Sequence, residues 1–205
     1  MILTVGRAFE YLSEAAKMNP GLWIEHSKYV ALAAKNIAHA LDMDASLAEA
    51  YGYIHDIGRR VGVTQMRHII DGYNFLAAEG YDDGARICMT HSFPTFKTDE
   101  AIGDWDCTKI ECDFAKQYMS KIVPNEYDRL IQLCDALALP SGFTILERRL
   151  LDVSLRYGVD ERTLPRWREF LKIQTDFEAR IGKSIYSLLP GVEKNIIQNR
   201  LEYVL

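Results

Sequence analysis

Four of the five histidines in this 205-residue chain, His26, His55, His68 and His91, lie in one stretch with Asp56, and Asp135 follows in a later apolar segment. Neutral imidazole and carboxylate together bind borderline divalent metals, with manganese, iron, cobalt, nickel and zinc all suited to such a set. Ions of this kind polarise phosphoryl oxygens and lower the pKa of bound water from about 15.7 to near 7, so a hydroxide nucleophile exists at neutral pH. One chemistry such a set can carry is metal-activated hydrolysis at a phosphoryl group. Taken singly, each residue has a plainer explanation. A His-Asp dipeptide recurs by chance, an isolated inward histidine is usually a hydrogen-bonded core residue, and an isolated aspartate is usually a cap. Taken together, four imidazoles and two carboxylates beside apolar faces are costly to bury, and bound cations compensate that cost directly.

The flanking patterns say which elements must position these groups. Residues 22–41 carry Val30, Ala33, Ala34, Ile37 and Leu41 on the helical face shared with His26, which therefore points inward. His39 falls about 220° around the same helix and is excluded. Ser46 and Glu49 read as a capping box, and Gly58 as the terminator of the helix they open, which puts His55 and Asp56 in its last turn. Helices follow over 66–79 and 82–90, so that His68 opens one and His91 closes the next. Residues 92–113 mix prolines, glycine, aromatics and acids without a period, and read as a long loop or partly helical insertion. In the helix over 126–139, Asp135 lies beside the apolar stripe of Leu130, Leu133, Cys134 and Leu137. Helices over 144–157, 165–181 and 192–204 complete an all-α reading, and no period-2 segment competes.

Arg59 and Arg60 directly follow the His-Asp segment, and a guanidinium can hold phosphate oxygens through two parallel hydrogen bonds. Arg59 is the preferred phosphate clamp and Arg60 a second candidate; both are equally explicable as solvated charges at a helix C-terminus. Lys97 is a further substrate-binding candidate. Phe93, Phe96 and Trp105 could stack a nucleobase, although aromatics in a long loop more often anchor it to the core. Cys88, Cys107, Cys112 and Cys134 are irregularly spaced, with no C-x-x-C pair, and read as reduced structural thiols.

The segments EHSKYVALAA, YGYIHDIGRR and LIQLCDALA resemble the first ligand helix, signature turn and last ligand helix of the HD superfamily of metal-dependent phosphohydrolases, over residues 22–140. The extra pair, His68 in RHIIDGYNFL and His91 in ARICMTHSF, resembles the two-metal subgroup. The resemblance implies an HD-type helical bundle of about seven to nine helices. It implies one metal on His26, His55, Asp56 and Asp135, with Asp56 bridging to a second on His68 and His91. It assigns Asp56 and Arg59 to catalysis, and makes the expected substrate a phosphorylated small molecule, a nucleotide or dinucleotide, attacked by metal-activated hydroxide. Two other activities fit the ligand set: a nucleotide-sensing module without turnover, and a di-iron oxygenase.

Composition bounds the rest. Apolar residues make up 48% and charged residues 26%, as in an ordinary globular protein. The expected organisation is one HD-type domain over 1–205, with a metal-binding core at 22–140 and a C-terminal helical extension at 141–205 packed on it. A net charge of −5 argues against a nucleic-acid or anionic-membrane surface. The N-terminal residues lack an export signal and no apolar run is long enough to span a bilayer, so a soluble, cytoplasmic protein is expected, with a homodimer open to the C-terminal helices.

Overall fold

The computed structural model describes residues 1–197, which form an all-α assembly with one minimal hairpin. In order, α1 (Val5–Met18), α2 (Leu22–Ala40), α3 (Ala45–Ile54), α4 (Arg67–Ala78), α5 (Asp82–Thr90), α6 (Lys109–Lys121), α7 (Glu126–Leu137), α8 (Leu146–Tyr157), α9 (Thr163–Ile181) and α10 (Val192–Ile197) are joined by 3-10 turns at Ile57–Val61, Thr98–Glu100 and Ile185–Leu188. None of these helices is long and apolar enough to cross a membrane.

Several local expectations are corrected. Thr4 caps α1, whose Ala8, Tyr11, Leu12 and Ala15 form a buried stripe that the sequence reading passed over. The Ser46/Glu49 capping box does not form, because the Asp44 carboxylate lies closer to the helix start and accepts from the Ser46 and Leu47 amides, at 2.9 and 3.0 Å. Gly58 does not end a helix, since α3 stops at Ile54 and Gly58 lies inside the following 3-10 turn. The region 92–113 takes the partly helical of its two readings, with a 3-10 turn at Thr98–Glu100 and Thr108 opening α6 through a capping box with Glu111. The helix over 126–139 stops at Leu137, where β1 (Ala138–Leu139) pairs antiparallel with β2 (Gly142–Phe143), a short exception to the absence of strands. The end of the helix expected over 192–204 lies outside the described residues.

The core sits where α2 crosses α3. A Cβ on Gly52 would come within 2.3 Å of the Ala31 Cα, so glycine and alanine allow the two backbones to touch, which sets His26 near His55. Leu146, Leu150, Ile173, Phe177, Ile185 and Leu189, from the C-terminal helices and the 3-10 turn after α9, belong to the same buried cluster as Val30, Ile54 and Leu133. A second cluster of Met66, Ile69, Ile70, Met89, Phe93, Ala115 and Met119 packs α4, α5 and α6 together.

A polar link joins α5 to α7. The fully buried Asp128 accepts from Arg86 Nε (3.0 Å), Arg86 Nη2, Thr90 Oγ1 (2.8 Å) and the Asn125 amide (2.8 Å). Gln132 Nε2 donates to the Thr90 and Phe93 carbonyls, at 3.0 and 2.9 Å, on either side of His91. Because truncating one partner strands a largely buried charge, Asp128→Ala is expected to cost about 3–5 kcal/mol, read as a lower denaturant midpoint. An unchanged midpoint would show that Arg86 finds solvent instead.

Candidate metal centre

Each sequence-selected histidine and aspartate reaches one buried focus between α2, α3, α4, α5 and α7. His55, Asp56, His68 and His91 are each no more than 6% exposed, and His26 is 9% exposed. Asp135 is the open edge, with 28% of its side chain exposed. His26, His55 and Asp135 bring ligand atoms within 4.8 Å of one another, and so do His55, Asp56 and His91. His68 joins them through its Nε2, which lies 3.2 Å from both Asp56 Oδ1 and His91 Nε2.

Asp56 occupies the middle. Its Oδ2 faces His55 Nε2 at 3.9 Å and its Oδ1 faces His68 and His91, at 3.2 and 3.6 Å, while His26 Nε2 meets Asp135 Oδ1 at 2.9 Å. The backbone orients three of the rings. His55 Nδ1 faces the Gly52 carbonyl at 2.8 Å, His91 Nδ1 the Cys88 carbonyl at 2.9 Å, and His68 Nδ1 the Gln65 carbonyl. A carbonyl can only accept, so each Nδ1 carries the proton and each Nε2 turns a lone pair inward. Outer partners of this kind fix the tautomer of metal-ligating histidines.

The donor set fits a divalent metal. His55 Nε2 is buried with no hydrogen-bond partner, an arrangement a cation satisfies and an empty core does not. Burial pushes the His55 and His68 imidazoles down to about 4 and 3, so both are neutral, ligating bases at pH 7. Burial pulls His91 the same way, but the Asp56 carboxylate facing its Nε2 at 3.6 Å outweighs it and raises its pKa. Against the same desolvation, the Arg59 guanidinium holds Asp56 well below the usual carboxylate range, and the hydrogen bond with His26 does so for Asp135.

These shifts give chelator-treated protein a pH dependence. Below about 6.5 the unfolded chain protonates His55 and His68 while the folded chain resists until about 4 and 3. Each group's contribution is whole above 6.5 and is lost on acidification at about 1.4 kcal/mol per pH unit. His91, shifted upward, works in the opposite sense. A denaturant midpoint falling between pH 6.5 and 4 is expected; one that rises would show that His91 dominates.

The cationic candidates divide. Arg59 is held at the centre, its Nε donating to Asp56 Oδ2 at 2.7 Å and its Nη1 to the Thr64 carbonyl at 3.1 Å. Arg60 turns toward α1 and α4, its guanidinium 4.0 Å over the Phe75 ring and Nη2 3.1 Å from Met18 Sδ. Lys97 pairs with Glu100 at 3.1 Å at the surface. Phe93 is fully buried and stacks on Trp105, and Phe96 lies under Arg129, so these rings anchor the loop. All four cysteines are free, and burial raises the Cys88 and Cys134 thiols well above their ordinary value. His39 is exposed, as its helical position requires.

Sequence reasoning missed Asp106. Met66 cannot cap α4 with its side chain; instead the Asp106 carboxylate accepts from the Gln65 and Arg67 amides, at 2.8 Å each, and the Asp104 carbonyl accepts from the Met66 amide at 3.2 Å. The loop thus fixes the turn whose Gln65 carbonyl orients His68. The only local signal was two acids in a loop, and a cap supplied from a distant segment has no sequence spacing to betray it.

The HD domain family matches residues 23–139, more than half of the chain, and the protein belongs to that family, most of whose members are metal-dependent phosphohydrolases. A segment of 53 residues is 43% identical to Ribonuclease Y of Chlorobium phaeovibrioides (strain DSM 265 / 1930), covering 26% of this chain and 10% of that protein. The chain thus matches about a tenth of its curated relative's length. No solved structure matches it significantly.

Proposed function

We propose that this protein hydrolyses a phosphomonoester or phosphoanhydride bond in a nucleotide or dinucleotide. The observation that carries this reading is the convergence of His26, His55, His68 and His91, by their Nε2 atoms, on two ionised carboxylates at a largely buried focus open at Asp135. Bound divalent ions supply Lewis acidity toward a phosphoryl oxygen and make water nucleophilic near neutral pH. His26, His55, Asp56 and Asp135 would hold one ion, and His68 and His91, with Asp56, would hold a second. The protein's own work is then to keep the imidazoles neutral, exclude bulk water and orient the substrate. Arg59, already locked on Asp56, is placed to donate its free N–H groups to a phosphate oxygen as charge develops.

The phosphodiester of RNA is a second substrate class, favoured by the local identity to a protein named Ribonuclease Y. The acidic net charge favours a small nucleotide, which needs no extended basic track. The test is metal content per chain in protein purified without chelator or affinity nickel, followed by a phosphate-release screen of nucleotides, dinucleotides and short oligoribonucleotides in the metal found. Two ions per chain and turnover of a mononucleotide or dinucleotide support the reading. Oligonucleotide cleavage alone would replace the substrate class. Absence of metal after reconstitution with manganese, iron or zinc would overturn it.

A further inference from the structure

Three hydroxyl side chains are chain neighbours of the histidines of the centre, and they are not bonded alike. Ser27, beside His26, donates to the Trp23 carbonyl at 2.9 Å, and Thr90, before His91, donates to the Asp128 carboxylate at 2.8 Å. Both acceptors are fixed parts of the protein, so those hydroxyls serve the fold. Ser92, after His91, has its Oγ 3.0 Å from His91 Nε2 instead. The Cys88 carbonyl, 2.9 Å from His91 Nδ1, places the proton of the neutral ring there, so Nε2 is the acceptor and the Ser92 hydroxyl the donor. The same nitrogen lies 3.2 Å from His68 Nε2 and 3.6 Å from Asp56 Oδ1, among the groups that would hold the second ion.

The turn that carries Ser92 is held on both sides. The Phe93 amide donates to the Thr90 carbonyl at 3.0 Å, and Gln132 Nε2 donates to the Thr90 and Phe93 carbonyls, at 3.0 and 2.9 Å. Thr90, His91 and Phe93 are buried while Ser92 is partly exposed, so Ser92 is where this turn meets solvent and small solutes. An imidazole nitrogen gives its one in-plane lone pair either to a hydrogen bond or to a metal. Once His91 ligates an ion, the Ser92 hydroxyl loses its acceptor and becomes a donor fixed in place beside the centre, which costs no reorganisation when an oxyanion arrives.

We propose that Ser92 is a substrate-binding residue, whose hydroxyl donates to a phosphoryl oxygen when His91 is taken up by metal. This rests on the phosphohydrolase reading and adds an exchange of partners to it. The hydroxyl occupies the His91 lone pair in the metal-free protein and turns to substrate in the loaded one.

The test is a pair of calorimetric titrations, manganese into metal-free protein and inorganic phosphate into manganese-loaded protein, on wild type, Ser92→Ala, Ser92→Thr and Ser27→Ala. Ser92→Ala is expected to bind manganese at least as tightly as wild type, and by up to about fivefold, because the ion no longer displaces a hydrogen bond. It should bind phosphate about tenfold more weakly, because a hydrogen bond to a charged acceptor is lost. A merely structural role would weaken both together. Ser92→Thr keeps the hydroxyl and should recover most of the phosphate affinity. Ser27→Ala removes a hydroxyl that bonds only the backbone of its own helix, and should bind both as wild type. Weaker manganese in Ser92→Ala would make Ser92 a ligand or a support for His91, and unaltered phosphate affinity would leave its hydroxyl without a substrate; either result overturns the proposal. Wild-type protein that holds manganese but no phosphate would instead bring down the phosphohydrolase reading itself.

Discussion

Asp56→Asn protein is expected to lose both of the proposed metal ions together, with affinity down more than about 100-fold and the proposed turnover lost with it. Replacing even an outer partner of a metal ligand costs about 10–100-fold. Asp56 does more than that, because its two oxygens face different histidines: Oδ2 is 3.9 Å from His55 Nε2, and Oδ1 is 3.2 and 3.6 Å from the Nε2 atoms of His68 and His91. Asparagine keeps the volume and one acceptor oxygen but removes the charge that both halves share. It also deprives Arg59 of its carboxylate at 2.7 Å, so the proposed phosphate clamp loses its anchor in the same step. The measurement is metal per chain beside phosphate release. Asp135→Asn is the comparison, since Asp135 Oδ1 stands 2.9 and 3.9 Å from His26 and His55 and makes no recorded contact with His68 or His91. It should lose one ion and keep the other. Retention of two ions by the Asp56 variant would remove this carboxylate from the centre.

What the sequence revealed and what it hid follow from the range of the interactions involved. His26 could be selected because the apolar face it shares repeats every three to four residues, and Asp135 because it lies beside such a stripe, signals contained in the helix itself; His55 and Asp56 were selected as an adjacent pair resembling the HD signature turn. Helix α1 carried the same signal in Ala8, Tyr11, Leu12 and Ala15, and α6 carried Thr108 and Glu111 as its opening, so both were legible and were missed by reading those stretches for export and for loop composition. The Ser46/Glu49 box failed for a local reason, competition from the nearby Asp44 carboxylate. Arg60 could not be told from Arg59 by position alone. The 3-10 turn sends one toward Asp56 and the other onto Phe75, and a turn of that kind follows from packing rather than from propensity. Asp106 lay beyond reach, since it acts on a segment about 40 residues away.

The glycine after Ile57 is the position where packing and metal chemistry meet most sharply, and Gly58→Ala is expected to cost at least the upper end of the roughly 1–3 kcal/mol of an overpacked core site. An added Cβ would stand 2.0 Å from the His68 carbonyl oxygen and 2.5 Å from the Gly72 amide nitrogen. Both are backbone, so no rotamer change relieves the clash, and α4 must move away from the turn. Gly72 confirms how close the crossing is, for its own Cβ would lie 3.2 Å from the Gly58 nitrogen and 2.9 Å from Cys88 Sγ. The clash falls on the backbone of His68 itself, whose Nε2 sits 3.2 Å from Asp56 Oδ1, so displacement of α4 would withdraw His68 from Asp56 before disturbing His26, His55 and Asp135. The expected result is a melting temperature lower by roughly 6–12 °C for a chain of this size. One of the two proposed ions is expected to be lost, with His26, His55 and Asp135 left to hold the other. Gly6→Ala is the control. Gly6 lies in α1 with nothing within 4 Å of a new Cβ, and alanine there should stabilise by up to about 1 kcal/mol through helix propensity alone. If Gly58→Ala melted like wild type and held two ions, the His-Asp turn would not be locked against α4, and the placement of His68 would need another cause.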